Sequence, residues 1–240
     1  MPLVVWVHGG AFRAGSKEQA GGAPWLAANG YAVASINYRL SQEAIFPAQI
    51  QDCKAAVRWL RANAAAYGLN PARIGAWGSS AGGHLVAMLG TSGGAEDLEG
   101  DGGNLKESSR VQAVVDFYGP TDFLKMDSKA LAGGMKHDPA DSPESQLVGG
   151  AIQQNPDRVA RANPITYVSK DAPPFLMLHG MLDPLVPVNQ SELLFAALKK
   201  AGVEVAFHQI ARAGHGGPEF ATPEVRAMVL SFLDRHLKRK

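Results

Sequence analysis

Arg73-Ile74-Gly75-Ala76-Trp77-Gly78-Ser79-Ser80-Ala81-Gly82-Gly83-His84-Leu85 is the stretch from which the rest of the chain is read. An apolar strand pattern, a glycine-bracketed serine and a helix pattern follow one another in it. Inside lies Gly78-x-Ser80-x-Gly82, the G-x-S-x-G spacing of a nucleophile elbow. The spacing has a steric origin. A serine that stands proud on a tight strand-to-helix turn leaves no room for side chains two residues away on either side, so glycine fits both places. The following helix would turn its free N–H groups and its dipole toward the serine, which favours developing negative charge there.

Outward from this turn, strand and helix patterns alternate. Leu3–His8 is an almost continuous apolar run, as expected of a strand buried on both faces, and Tyr31–Tyr38 reads as the second strand. Between them, Ala23–Asn29 reads as a short helix closed by Gly30. Pro47 opens a long helix whose positions Ile50, Cys53, Val57, Leu60 and Ala64 form one apolar face, and Gly68 closes it. On that face Cys53 reads as a small buried hydrophobe. Residues 91–110 are glycine-rich and acidic and read as an exposed loop. Further strands are expected at Val111–Tyr118, Phe175–His179 and Val203–Ile210. Helices are expected at Asn189–Ala201 and from Thr222-Pro223 to about Leu237.

The pattern implies an α/β fold with a mostly parallel sheet of about six strands flanked by helices, in one domain spanning 1–240. Residues 121–171 carry prolines at 139, 143, 156 and 164 and no clean period, so they read as a partly helical cap inserted over the sheet. Composition sets further bounds. A net charge of +1 gives no reason to expect nucleic acid or anionic membrane as a partner. One cysteine excludes an intrachain disulfide but leaves the compartment undecided. Neither a signal peptide nor a membrane-spanning run is recognisable.

A serine nucleophile needs a base held by a third group. In an elbow enzyme the three follow in the order serine, acid, histidine. Of seven histidines, His215 lies between the last strand and the last helix, in Ala213-Gly214-His215-Gly216-Gly217, where a loop-borne base belongs. His8 precedes the serine, His84 sits on the elbow helix, and His179 closes a strand. His137, His208 and His236 fall in the cap, mid-strand and in the last helix. Asp183 follows the penultimate strand and is the candidate acid. Asp116 and Asp122 are alternatives, read rather as loop-capping and cap-anchoring groups. Asp183 would orient His215 and stabilise its protonated form. Backbone N–H groups of Gly9, Gly10 and Ala81 are the candidate oxyanion hole.

The set His8-Gly9-Gly10-Ala11-Phe12, Gly78-Ser79-Ser80-Ala81-Gly82-Gly83, Asp183-Pro184 and Gly214-His215-Gly216 resembles the α/β-hydrolase serine carboxylesterases. It is most similar to the feruloyl and acetyl-xylan esterase group near the hormone-sensitive-lipase-like esterases. Phe117-Tyr118-Gly119-Pro120-Thr121-Asp122, Asn163-Pro164 and Pro173-Pro174-Phe175 also resemble that group. The resemblance implies a cofactor-free esterase with Ser80, Asp183 and His215 as triad and no metal. Its substrate would be a small-molecule or plant-polysaccharide-linked ester with a short or aromatic acyl group. A peptidase or aryl formamidase on the same triad is the alternative enzyme reading, and a non-catalytic binding protein on this fold is the other.

There are departures. Ala11 replaces the third glycine of a His-Gly-Gly-Gly loop, and Met181 stands where a polar residue is usual. The strands that precede His-Gly-Gly in this fold are also missing. Either upstream residues complete the sheet, or a partner, such as a second copy in a homodimer, covers the edge beside Leu3–His8 or its neighbour.

Overall fold

In the computed structural model, which describes residues 1–238, six strands form one wholly parallel sheet. They are β1 (Leu3–Val7), β2 (Ala32–Ile36), β3 (Ile74–Ser79), β4 (Ala113–Phe117), β5 (Phe175–Gly180) and β6 (Val205–Ile210). Their order across the sheet is β2-β1-β3-β4-β5-β6. All six expected strands form. β1 is interior, paired to β2 on one side and β3 on the other, so β2 is an edge of the sheet.

The helices are α1 (Ala48–Ala62), α2 (Ala81–Thr91), α3 (Pro143–Val148), α4 (Pro156–Ala162), α5 (Asn189–Lys200) and α6 (Pro223–Leu233). Two apolar layers sandwich the sheet, because alternate strand residues point to opposite faces. On one face Val5, Val7, Val114 and Met177 pack with Ile50 and Val57 of α1, Leu85 of α2 and Leu194 of α5. On the other, Val4, Trp6, Trp77 and Leu178 pack with Val229 of α6 and with Leu26 of a short 3-10 helix, Ala23–Asn29. The N-terminus of α6 is capped as expected: Thr222 Oγ1 accepts the Val225 N–H.

Two expectations are refined. Ile50, Cys53 and Val57 are fully buried on α1, but the helix ends at Ala62 and Ala64 begins a separate 3-10 turn. The same helix also buries Lys54 and Arg58 completely. Both reach Glu99, so residues 91–110 are not merely an exposed loop: Glu99 lies over α1 and Leu98 is buried.

The 121–171 segment holds α3, α4 and several short 3-10 turns. Phe123, Met126, Leu147 and Ile152 are wholly buried in the layer that contains Leu85 and Ile50. Its apolar side chains are therefore consumed by packing, and Leu131 is an exposed exception.

Candidate active site

Strand β3 delivers Ser80 to its end and α2 begins one residue later. Ser80 has φ 57° and ψ −124°, a strained conformation for a residue with a side chain. The bracketing glycines are required by close approach. A Cβ on Gly78 would lie 2.3 Å from the carbonyl oxygen of Gly82. One on Gly82 would lie 2.1 Å from the Val7 carbonyl oxygen on β1.

Two further loops meet this turn. Ser80 Oγ lies 2.8 Å from His215 Nε2, and His215 Nδ1 lies 2.7 Å from Asp183 Oδ2. The direction of the bonds follows from the acceptors: His215 Nδ1–H donates to the carboxylate, leaving Nε2 to accept the Ser80 hydroxyl proton. His215 is half-buried and Asp183 is fully buried. Asp183 Oδ1 also accepts the N–H groups of Leu185 and Val186. Burial alone would raise its pKa, but hydrogen bonds from His179 and His215 overcome that and hold it well below the usual carboxylate range. The loops bearing Asp183 and His215 are locked together by backbone. Met181 N–H donates to Ile210 C=O and Leu182 N–H to Ala213 C=O. A Cβ on Gly180 would strike the Gly214 carbonyl oxygen at 2.3 Å.

The loop after β1 lies against the serine. A Cβ on Gly9 would sit 3.3 Å from Ser80 Cβ. Gly10, Ala11 and Phe12 have φ of 108°, 55° and 60°, so the chain curls back and Gly10 C=O accepts from Arg13 and Ala14. The His8 ring stacks on Tyr38 at 4.3 Å and bonds to Gly9 C=O, fixing the base of the loop. Among the described residues, the amides of Gly9, Gly10 and Ala81 donate to no turn, loop or side-chain acceptor.

The other candidates are elsewhere. Asp116 is buried at the end of β4 and Asp122 is paired with Lys125, so neither touches His215. Asp116 accepts the Gly119 N–H, and burial pushes its carboxyl up to about 6. His84 packs between Phe12 and Phe123 and bonds to Pro120 C=O, and burial lowers its pKa to about 4. His137 is buried against Glu144. Met181 is exposed at the rim.

Two residues at the site were not singled out by the sequence. Tyr118, at φ 46°, lays its ring 4.7 Å from that of His215. His179 lies beside Asp183. Its signal was available as a His-x-x-x-Asp spacing after a strand. Among the described residues, no group of three histidine, cysteine or acidic side chains could hold a metal ion, and no helix is long and apolar enough to cross a membrane.

The parallel sheet, the elbow and the loops converging on it define an α/β-hydrolase. The chain belongs to the BD-FAE family, whose model matches residues 1–198. It is 34% identical to the esterase LipQ of Mycobacterium tuberculosis, over 97% of this chain and 54% of that protein. A structure described as a truncated form of a carbohydrate esterase from gut microbiota superposes with a TM-score of 0.90 at 37% identity, covering 99% of this chain and 86% of that one. The butyrate-bound esterase Est2 of Thermogutta terrifontis gives a TM-score of 0.76 at 26% identity, covering 99% and 82%. The chain spans about half the length of the curated relatives it matches.

Proposed function

We propose that this chain is a serine carboxylesterase that hydrolyses short-chain or aromatic carboxylic esters, including esters carried on polysaccharide. The observation that carries the reading is the unbroken hydrogen-bonded line from Ser80 Oγ through His215 to Asp183 at a strained elbow. His215 Nε2 takes the hydroxyl proton as Ser80 Oγ attacks the ester carbonyl carbon. The carbonyl oxygen becomes an anion facing the amides of Gly9, Gly10 and Ala81. Collapse expels the alcohol, which receives the proton from His215 and leaves an acyl group on Ser80. Water, deprotonated by His215, then attacks that acyl carbon. The acid departs and the proton returns to Ser80. Asp183 keeps its charge throughout and stabilises the imidazolium of each step.

Support for an ester substrate comes from relatives named as esterases, and for a sugar-borne ester from the neighbour named as a carbohydrate esterase. A short acyl group is supported by the 121–171 segment, whose Phe123, Met126, Leu147 and Ile152 are wholly buried in the core. Each buried CH₂ is worth about 0.8 kcal/mol, so a site without length gains little from a longer chain.

The test is twofold. Ser80→Ala should lower ester turnover on the order of a million-fold with the fold retained, and fluorophosphonate should label Ser80 in the parent protein. A variant with a tenth of the activity would end the reading. In a series from 4-nitrophenyl acetate to palmitate, kcat/KM for acetate or butyrate should exceed that for palmitate by at least about tenfold, or roughly 1.4 kcal/mol. Methyl ferulate and acetylated xylan then separate aromatic from acetyl preference, and matched amides test the peptidase alternative.

A further inference from the structure

The carboxylate oxygen that faces His215 has a second imidazole on it. His179, the penultimate residue of β5, is wholly buried. Its Nε2 lies 2.8 Å from the carbonyl oxygen of Val186 and 3.2 Å from Asp183 Oδ2. Both neighbours can only accept, so Nε2 carries a proton and shares it between them. Its Nδ1 lies 2.7 Å from Ser191 Oγ, at the start of α5. A hydroxyl can donate, so a neutral ring with Nδ1 bare satisfies every contact without burying a further charge.

Asp183 is thereby surrounded. Oδ1 takes two backbone N–H groups, and Oδ2 takes one imidazole N–H from each side. Val186 is held at both ends, its N–H on Oδ1 and its C=O on His179. The ring of His179 thus ties the end of β5, the acid loop and α5 into one piece. It also draws charge away from the oxygen that must stabilise the His215 imidazolium. The other titratable groups facing the pair are Asp116 on β4 and Tyr118 in the turn after it, whose ring is 6.3 Å from His179.

We infer that His179 is a positioning residue for ester hydrolysis. As a neutral imidazole protonated at Nε2, it holds Asp183 Oδ2 between two rings and sets how strongly that carboxylate favours protonated His215. The inference rests on the triad reading above. The sign of its effect follows: with the second donor removed, charge concentrates on Oδ2, imidazolium is favoured, and the acid limb of kcat/KM moves to higher pH.

His179→Asn and His179→Gln make the test. The glutamine amide reaches the position of Nε2 and the asparagine amide stops one methylene short. His179→Asn should lower kcat by roughly tenfold or more, as loss of an outer hydrogen-bonding partner does elsewhere, with KM within about twofold. Its acid limb should rise by about half a pH unit. His179→Gln should return the limb toward that of the parent. If His179→Asn loses thermal stability and activity while its limb stays put, the residue is structural only and the inference falls. In the unmutated protein, nitrogen-15 NMR should show His179 protonated at Nε2 and bare at Nδ1 at neutral pH. The opposite tautomer, or a cation, overturns the inference even if neither variant folds. Ser80→Ala run in parallel separates the two readings. An active Ser80→Ala removes the triad, whereas an inactive one with an unmoved limb in His179→Asn removes only the role of His179.

Discussion

Asp183 and Glu99 are both carboxylates trapped under several donors in loops at the edge of the core, and they are held by opposite means. Glu99 faces permanent cations. Lys54 Nζ lies 2.6 Å from its Oε1 and Arg58 Nη1 2.8 Å from its Oε2, with Ser109 Oγ on Oε1. Asp183 faces backbone amides and two imidazoles, and among the described residues it pairs with no lysine or arginine. Burial acts to raise the pKa of each, and the donors win in both, so both lie below their ordinary values. The difference lies in what the donors are free to do. Lys54 also donates to Ser92 C=O, and Arg58 to the carbonyls of Glu99 and Gly103, while Arg58 Nη2 is buried with no partner among the described residues. His215 keeps its second nitrogen for Ser80. A carboxylate clamped by cations anchors a loop, and in the proposed triad one clamped by imidazole passes its charge on to a reacting atom.

The sharpest way to break this contrast is Asp183→Asn. With the triad reading, kcat should fall on the order of ten-thousand-fold, because the amide no longer stabilises imidazolium or fixes its tautomer. Steady-state kinetics on a nitrophenyl ester checks it, and a loss under a hundredfold would place the acid elsewhere. Glu99→Gln should do the reverse. It leaves Lys54 and Arg58 buried without a counter-charge, at a cost of about 3 kcal/mol in stability, while kcat of the folded fraction stays within about twofold. Urea unfolding beside activity at low denaturant measures both.

Acid should weaken both sites. Since both native pKa values are lowered, each carboxylate contributes stability that is present above the ordinary carboxylate range and lost as pH falls through the native value. Glu99→Gln should therefore flatten the decline of melting temperature on the acid side. His137 supplies the opposite sign. Burial disfavours its charge, but Glu144 at 2.9 Å and the Leu185 carbonyl at 2.8 Å outweigh that and raise its pKa. Its contribution is complete below the ordinary histidine value of about 6.5 and is lost as pH climbs through the raised one. Because Leu185 belongs to the acid loop, melting temperature should fall on the alkaline side in the parent and fall less in His137→Gln. The smallest expected effect belongs to Asp97, two residues from Glu99 but more than half exposed in its pair with Arg161. Asp97→Ala should change stability by no more than about 0.5 kcal/mol. A larger loss would mean that the exposed Asp97–Arg161 pair, and not only the Glu99 cluster, anchors the 91–110 segment.

The sequence announced Asp183 and concealed Glu99, for a physical reason. The order of serine, acid and histidine along the chain and their places at strand ends are consequences of the fold, so Ser80, Asp183 and His215 carry their geometry in their spacing. The six strands were legible as mostly apolar runs, those of β1, β4 and β5 buried on both faces and those of the edges β2 and β6 only in part. Lys54 and Arg58 stand four residues apart on α1, where charges ordinarily mark the wet side of a helix. Their partner is 45 and 41 residues away in a glycine-rich loop. No local period encodes that meeting. His179 was half legible. Its spacing from Asp183 could be read, but which nitrogen bears the proton depends on Val186 and Ser191, which only the folded loop brings to it.

The Asp183 and His215 loops, bonded to each other through Met181 and Leu182 and in close approach at Gly180, form one unit on β5 and β6. The serine waits on β3, 135 residues before its base. Synthesis delivers the elbow first. A nascent chain can complete β1 through β4 and still carry a serine with nothing to take its proton. On the proposed triad, such a chain has a serine without its base. On that reading, Ser80 meets His215 only when β5 and β6 join the sheet. The rate at which a fluorophosphonate labels Ser80 during refolding is therefore a clock for the meeting of Ser80 with His215.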